Sequence, residues 1–306
     1  MRALGGVRGA SLVELLVALV LFGIVGTATL RALDRQARLH SGLLAILEAR
    51  SQHAAAHEAV AVELRGASTA SADIGPLTDT SIVFRLAVGG GVVCAVSPGT
   101  IDLAPDSVSS GQVFARFRTP PQAGDTAWLL DEGASDVSSD DAWVALHVTS
   151  VTRSSGSCAS SALVDSVLDA GRLSWRLGVG GAIPTTMTVG AAVRLTRVAR
   201  FALYRSGTES WLGFTERNPA TGAWVTIQPV SGPYLPFNAT FPGASGVALH
   251  GVDSSGTPTM LAGPGTPAAL SLATRTLTTR VVRMDGLAKA RYADSLHSFI
   301  ALRNAR

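Results

Sequence analysis

From Ala10 to Leu30 the chain reads ASLVELLVALVLFGIVGTATL, an apolar run broken by one charge, Glu14. At about 1.5 Å per helical residue, roughly 20 such residues span about 30 Å, the thickness of a bilayer's hydrocarbon core. A carboxylate inside that layer costs on the order of 3 kcal/mol, which makes Glu14 a functional candidate by position alone. Past Leu30 the pattern stays helical but turns amphipathic. Leu39, Leu43, Ile46 and Leu47 recur at i, i+4, i+7 and i+8, and Val60 and Leu64 repeat the spacing. Asp34, Arg35, Arg38, Glu48, Arg50, Glu58, Glu63 and Arg65 fill the other side. That spacing predicts one helix through about residue 66, with the leucine face turned to a core and Gly66 as its stop.

Beyond residue 67 the period falls to two. Ile82, Phe84, Leu86 and Val88 alternate with Val83, Arg85 and Ala87, and Val144, Leu146 and Val148 alternate with more polar neighbours. Leu173, Trp175 and Leu177 do the same, and Val193, Leu195, Ala199, Phe201 and Leu203 line the longest strand candidate. His297 to Asn304 alternates again as a closing strand. Gly-, Pro- and Ser-rich connections separate these runs, so the pattern predicts half-buried antiparallel strands joined by short turns. The stretch 231–268 is turn-rich enough to hold an insertion. The expected fold class is α+β, a long N-terminal helix packed on a β-rich antiparallel head.

The residues around the start of the apolar run carry a resemblance. Arg8-Gly9-Ala10-Ser11-Leu12-Val13-Glu14 followed by a long apolar helix resembles a type IV prepilin leader. The resemblance implies cleavage by a prepilin peptidase after Gly9 and methylation of Ala10 as the mature N-terminus. It also makes Glu14 the glutamate that guides assembly. Ala10 departs from the Phe most frequent at that position, a departure that bears on methylation more than on cleavage. Ala301-Leu302-Arg303-Asn304 is similar to the ends of PilW-like minor pilins and of the related J-type pseudopilins of type II secretion. The implied organisation is a leader at 1–9, a transmembrane and filament-core helix at 10–30, its amphipathic continuation at 31–66, and a periplasmic head at 67–306. The physical reading agrees with the implied role, because an amine at Ala10 would lie one helical turn from Glu14, or reach a neighbour's Glu14. An ordinary secretory signal cut near Gly26-Thr27-Ala28 is the competing reading of the same stretch.

Composition changes little in this picture. The chain has 306 residues with Lys+Arg 25 and Asp+Glu 22, a net charge of +3. Cleavage would remove Arg2 and Arg8 and leave the mature chain near neutral, so no nucleic-acid partner is expected. Lys289 is the one lysine. Arg194, Arg197, Arg200 and Arg205 read as a solvated edge strand rather than a DNA-binding stripe, since Arg197 falls on the opposite face from Arg194 and Arg200 and no run of aromatic residues builds a stacking platform between them. Cys94 and Cys158 are the two cysteines, and in an oxidising compartment an even count favours a disulfide.

Chemical motifs are few. Gly243-Ala244-Ser245-Gly246-Val247 has Val where a nucleophile elbow needs Gly, and the glycine runs 89–91 and 178–181 lack phosphate-loop spacing. His53 and His57 stand one helical turn apart, and read as solvated residues on an exposed face rather than metal ligands. The stretch Asp131, Glu132, Asp136, Asp140 and Asp141 offers oxygens to calcium on a flexible loop, although an acidic Ser-rich loop is more often only solvated. Asn238-Ala239-Thr240 fits a glycosylation acceptor pattern. No catalytic constellation and no cofactor is expected.

The functional expectation is a non-enzymatic minor pilin of a type IV pilus, part of the complex that primes assembly and a candidate for the tip. Its expected partners are other minor pilins, the major pilin, prepilin peptidase, the assembly platform and inner-membrane lipid. The alternatives are a minor pseudopilin at the tip of a type II secretion pseudopilus, and an exported β-rich adhesin or binding protein with an ordinary signal peptide.

Overall fold

The computed structural model describes residues 11–67, 73–135, 137, 140–259, 267–282 and 290–302, with side chains for all of these except 277–282 and 290–292. Gly9, Ala10, Asp136 and the Arg303-Asn304 finish lie outside the described residues. One helix, α1 (Leu12–Leu64), runs for 53 residues without interruption. No proline and no cluster of turn formers lies within it, and Gly66 follows in the turn where the spacing placed a stop. Strands follow in the order β1 (Ile74–Thr78), β2 (Ser81–Ser97), β3 (Thr100–Leu103), β4 (Arg116–Phe117), β5 (Thr126–Asp131), β6 (Ala142–Ser155) and β7 (Leu173–Gly180). They continue with β8 (Ala192–Ser206), β9 (Glu209–Glu216), β10 (Gln228–Tyr234), β11 (Val247–Val252), β12 (Pro258–Thr259), β13 (Ala269–Val282) and β14 (Ala290–Ala301). The architecture is α+β, with antiparallel pairing between the head's strands.

Two compact units divide the chain: the helix up to Ser51 with Leu277–Asp294, and Gln52–Thr276 with the chain from Ser295 onward. In the first unit, Arg38 pairs with Asp34 one turn away on the helix, and Arg50 Nε lies 3.7 Å from Asp294.

The second unit is organised by a ring of strands. β2, β3, β7, β6, β5 and β8 neighbour one another in that order, and β8 pairs back onto β2 over Ser81–Val92, so six strands close into a barrel. Its interior is filled by alternate residues of every strand: Ile101 and Leu103, Ala127 and Leu129, Leu146 and Val148, Leu177 and Val179, Val193 and Leu195, with Val88 and Val93 from β2. A barrel this small leaves room for side chains alone. β2 bends through Gly89-Gly90-Gly91, where its register on β8 shifts. Gly89 adopts φ +157°, and a Cβ there would meet the Arg116 carbonyl at 2.4 Å. The glycine run is thus a strand bend, not a phosphate loop.

β2 and β8 run beyond the barrel and join β1, β9 and β10 in an open sheet. Its apolar face, with Ile74, Ile82, Phe84, Phe201 and Leu212, shares one core with Val247, Leu249, Leu270 and Leu272 of the four-stranded sheet β12-β11-β13-β14. Ala56, Val60 and Leu64 of the helix end enter the same core. Within the turn-rich stretch 231–268, Val247–Val252 form the core strand β11.

Two expectations are corrected. The expected core face of the helix is buried at its far end, at Val60 and Leu64, but not before it: Leu39, Leu43 and Leu47 are about half exposed or more, and the buried stripe leading to Val60 is Gly42, Ala45, Ala49, His53 and Ala56. These recur every three or four residues, so the periodicity is right but the stripe is mostly small residues, which let a helix approach its neighbours closely. Nor is β8 a solvated edge strand, since it pairs with β2, β5 and β9. Arg197 lies on its inner face between Leu195 of the barrel and Ala199 of the second core, where Asp125 takes it in two hydrogen bonds of 2.8 and 3.0 Å. Glu216 accepts a third at 3.0 Å. On the other face, Arg194 reaches buried Asp73 at 2.6 Å, and Arg200 lies over the Trp224 ring at 4.6 Å.

Cys94 and Cys158 are joined in a disulfide, with Cα atoms 5.3 Å apart, tying the end of β2 to the β6–β7 connection. Asp169 holds the rest of that connection by accepting from Ser109 N at 2.7 Å, Asp165 N at 3.1 Å and Arg172 Nε at 2.7 Å.

Replacing both cysteines with Ala should lower unfolding free energy by about 4 kcal/mol, the chain-entropy value for a loop of this size. Denaturant titration of the oxidised and double-Ala chains checks it. Asp125→Ala should cost about 3 kcal/mol, because it leaves the buried Arg197 guanidinium with Glu216 as its remaining carboxylate. In the same titration, the double change Asp125→Leu with Arg197→Met should recover much of that loss.

Candidate functional site

The first half of α1 is a site by virtue of what surrounds it. A helix apolar on every side needs lipid or other apolar helices as its solvent. From Leu12 to Val25 every large apolar side chain is at least half exposed, Leu12 at 81% and Phe22 at 77%. Mean hydropathy reaches 2.3 over an 18-residue window, and among the described residues this is the helix long and apolar enough to cross a membrane. Its two threonine hydroxyls are satisfied within the helix, as a membrane demands. Thr27 Oγ1 donates to the Gly23 carbonyl at 2.7 Å, and Thr29 Oγ1 to the Val25 carbonyl at 2.8 Å.

Glu14 stands exposed in the first turn, where the helix dipole favours a negative charge. The backbone ladder begins with Leu15 N donating to the Ser11 carbonyl at 3.1 Å. The helix passes through Gly26-Thr27-Ala28 without a break. Among the described residues a Cβ on Gly23 or Gly26 would meet nothing within 4 Å, so no packing among them requires either glycine.

Where the helix enters the second unit, its contacts turn polar. His53 and His57 are buried, not solvated, with 2% and 8% of their surfaces exposed. Thr274 Oγ1 of β13 lies 2.7 Å from His53 Nδ1 and 3.0 Å from His57 Nε2, and Ser298 Oγ of β14 lies 2.5 Å from His57 Nδ1. The Tyr234 hydroxyl of β10 donates to the Gln52 carbonyl at 2.8 Å, and Gly232 N donates to Gln52 Oε1 at 3.1 Å. Two histidines one turn apart are the only sequence sign of this seam. Their partners come from strands more than 200 residues away, which no local pattern reveals.

The acidic loop is built around its own backbone. Asp140 Oδ2 accepts from Ala134 N at 3.2 Å, Ser135 N at 3.1 Å and Ser135 Oγ at 2.8 Å. The Ser135 hydroxyl, more than the backbone donors, holds the Asp140 carboxyl below its ordinary value. Asp131 accepts from Thr186 Oγ1 at 2.7 Å, while Glu132 and Asp141 border an open cleft of about 460 Å³. A Cβ on Gly133, at φ +69°, would collide with the Asp140 carboxylate, so glycine is what lets the loop close on that side chain. Among the described residues no group of three or more His, Cys, Asp or Glu is placed to hold a metal ion. Ser245 is fully buried and accepts from Asn238 N at 3.0 Å, and Asn238 Oδ1 caps its own turn by accepting from Thr240 N and Phe241 N.

Burial, aided by His53 and His297, pushes the His57 imidazole down to about 4 from its usual 6.5. The folded head therefore holds His57 neutral while the unfolded chain takes up a proton between these values. Stability is full above about pH 6.5 and falls as pH drops toward 4, by up to about 3 kcal/mol. His57→Gln should flatten that part of the profile, as read by unfolding at pH 7.5, 6 and 4.5.

No protein-family model, characterised protein or solved structure matches the chain. The long apolar N-terminal helix followed by an antiparallel β-rich head is consistent with a pilin-like fold. The exposed apolar segment points to membrane anchoring or secretion, and the disulfide to an extracytoplasmic head.

Proposed function

We propose that the chain is a minor pilin of a type IV pilus, held in the inner membrane by residues 10–30 with its head in the periplasm, and incorporated into the complex that primes the filament. The observation that carries this reading is the single helix Leu12–Leu64, bare and apolar at one end and built into the core of the head at the other. A cleaved secretory signal has no need of such continuity. A subunit that must be extracted from lipid into a filament does, because the same rod serves as anchor first and as filament core afterwards.

The mechanism is physical rather than catalytic. Leaving lipid for a protein filament buries Glu14 and a neighbour's N-terminal amine together. Their pairing offsets a desolvation penalty that either charge would suffer alone. Prepilin peptidase would cut between Gly9 and Ala10 to create that amine. Other minor pilins, the major pilin and the assembly platform are the partners this role requires.

Mass spectrometry of the mature chain should place its N-terminus at Ala10, whereas a start at or after Ala28 would make the helix a removed signal. Glu14→Leu should still be processed and inserted at normal levels, yet incorporation should fall at least tenfold. Pilus counts and co-purification of partner subunits at matched membrane levels measure it. Equal incorporation of the two chains would remove the role given to Glu14.

A further inference from the structure

A groove of about 590 Å³ runs along the edge of the four-stranded sheet in the second unit. One wall is the helix end, with Glu58, Ala61, Val62 and Arg65, and the other is Ser298 to Ala301 of β14. Side chains of consecutive strand residues point to opposite faces. Four consecutive residues can therefore line one groove only along the strand's edge, where the backbone N–H and C=O groups lie. β14 ends the strand order β12-β11-β13-β14, so β13 is its one strand neighbour among the described residues.

Protein edges are ordinarily blunted by charge, proline, bulges or shortness. β14 is 12 residues long, and Ser295-Leu296-His297-Ser298-Phe299-Ile300-Ala301 contains no proline and no Asp, Glu, Lys or Arg. The groove wall is braced by the His57–Ser298 hydrogen bond. Phe299 and Val62 stay 65% and 56% exposed beside it. Glu58 and Arg65, both exposed and two helical turns apart, put one charge of each sign along its length.

We propose that this edge is a strand-addition site, at which an extended segment of a second protein pairs with Leu296–Ala301 as a fifth strand. The backbone edge specifies the conformation of the partner, and the groove specifies its side chains. Those are alternate apolar residues to cover Val62 and Phe299, with a basic residue toward Glu58 and an acidic one toward Arg65. The inference rests on the head alone and stands or falls apart from the pilin reading.

The test uses the full-length chain in detergent and three synthetic nonapeptides of alternating Val and Thr with a central Phe. The first carries Lys at its start and Asp at its end, the second has these exchanged, and the third has Pro in place of Phe. Fluorescence anisotropy should show one charge order binding at least tenfold tighter than the other, and the Pro peptide not at all. Amide exchange should slow at Leu296–Ala301 on binding, and Val62→Arg, at an exposed position, should weaken it at least tenfold. The proposal is overturned if no peptide protects those amides, or if the Pro peptide binds equally well. Protection that grows with protein concentration in the absence of peptide would also overturn it, by assigning the edge to a second copy of the chain.

Discussion

The pairing of β2 with β8 is the constraint on which the rest of the head depends. These two strands close the six-stranded barrel and then continue past it to carry the second core. Each strand changes its inner residues as it passes from one core to the other. In β8 the boundary is Arg197, held by Asp125 and Glu216. In β2 it falls at Ala87, between Leu86 of one core and Val88 of the other, where the register on β8 shifts just before the glycine run. A charge and a bend thus separate two apolar clusters that one uninterrupted pair of strands would otherwise merge. Burying an ion pair between cores adds little net stability compared with apolar residues of the same volume, but breaking it is costly.

The helix depends on that arrangement at its far end. Ala56, Val60 and Leu64 bury into the core that β2 and β8 support, and the histidines bind hydroxyls of β13 and β14 rather than water. Hydroxyls suit buried imidazoles because they can donate or accept, so neither ring has to be charged to be satisfied. At the opposite end Leu12 to Val25 stand uncovered by any of the described residues. One continuous helix therefore carries both a surface that requires lipid or apolar helices and residues built into the core of the head.

Much of this was legible in residue order. The apolar run, the helix through Leu64, the strands at 82–88, 144–148, 173–177 and 193–203, and the cysteine pair could all be read from local period and count. Local period records which residues can share a face, but not which face is covered. That is why Leu39, Leu43 and Leu47 were expected inside and stand outside, while Gly42, Ala45 and Ala49 are buried. For the same reason the arginines of β8 looked solvated. Asp73 and Asp125 lie 121 and 72 residues from their partners, so no spacing rule connects them.

The sequence by itself determined the long helix, the strands named above, the fold class and the placement of one carboxylate in a membrane-length run, because those depend on periods of 3.6 and 2.0 and on hydropathy. Only the tertiary structure decided that six strands close into a barrel, that His53 and His57 are buried against distant hydroxyls, and that β14, with β13 as its one strand neighbour among the described residues, borders a groove. Each of these is set by long-range pairing, where a strand's neighbour depends on the topology of the whole sheet rather than on the residues beside it in the chain.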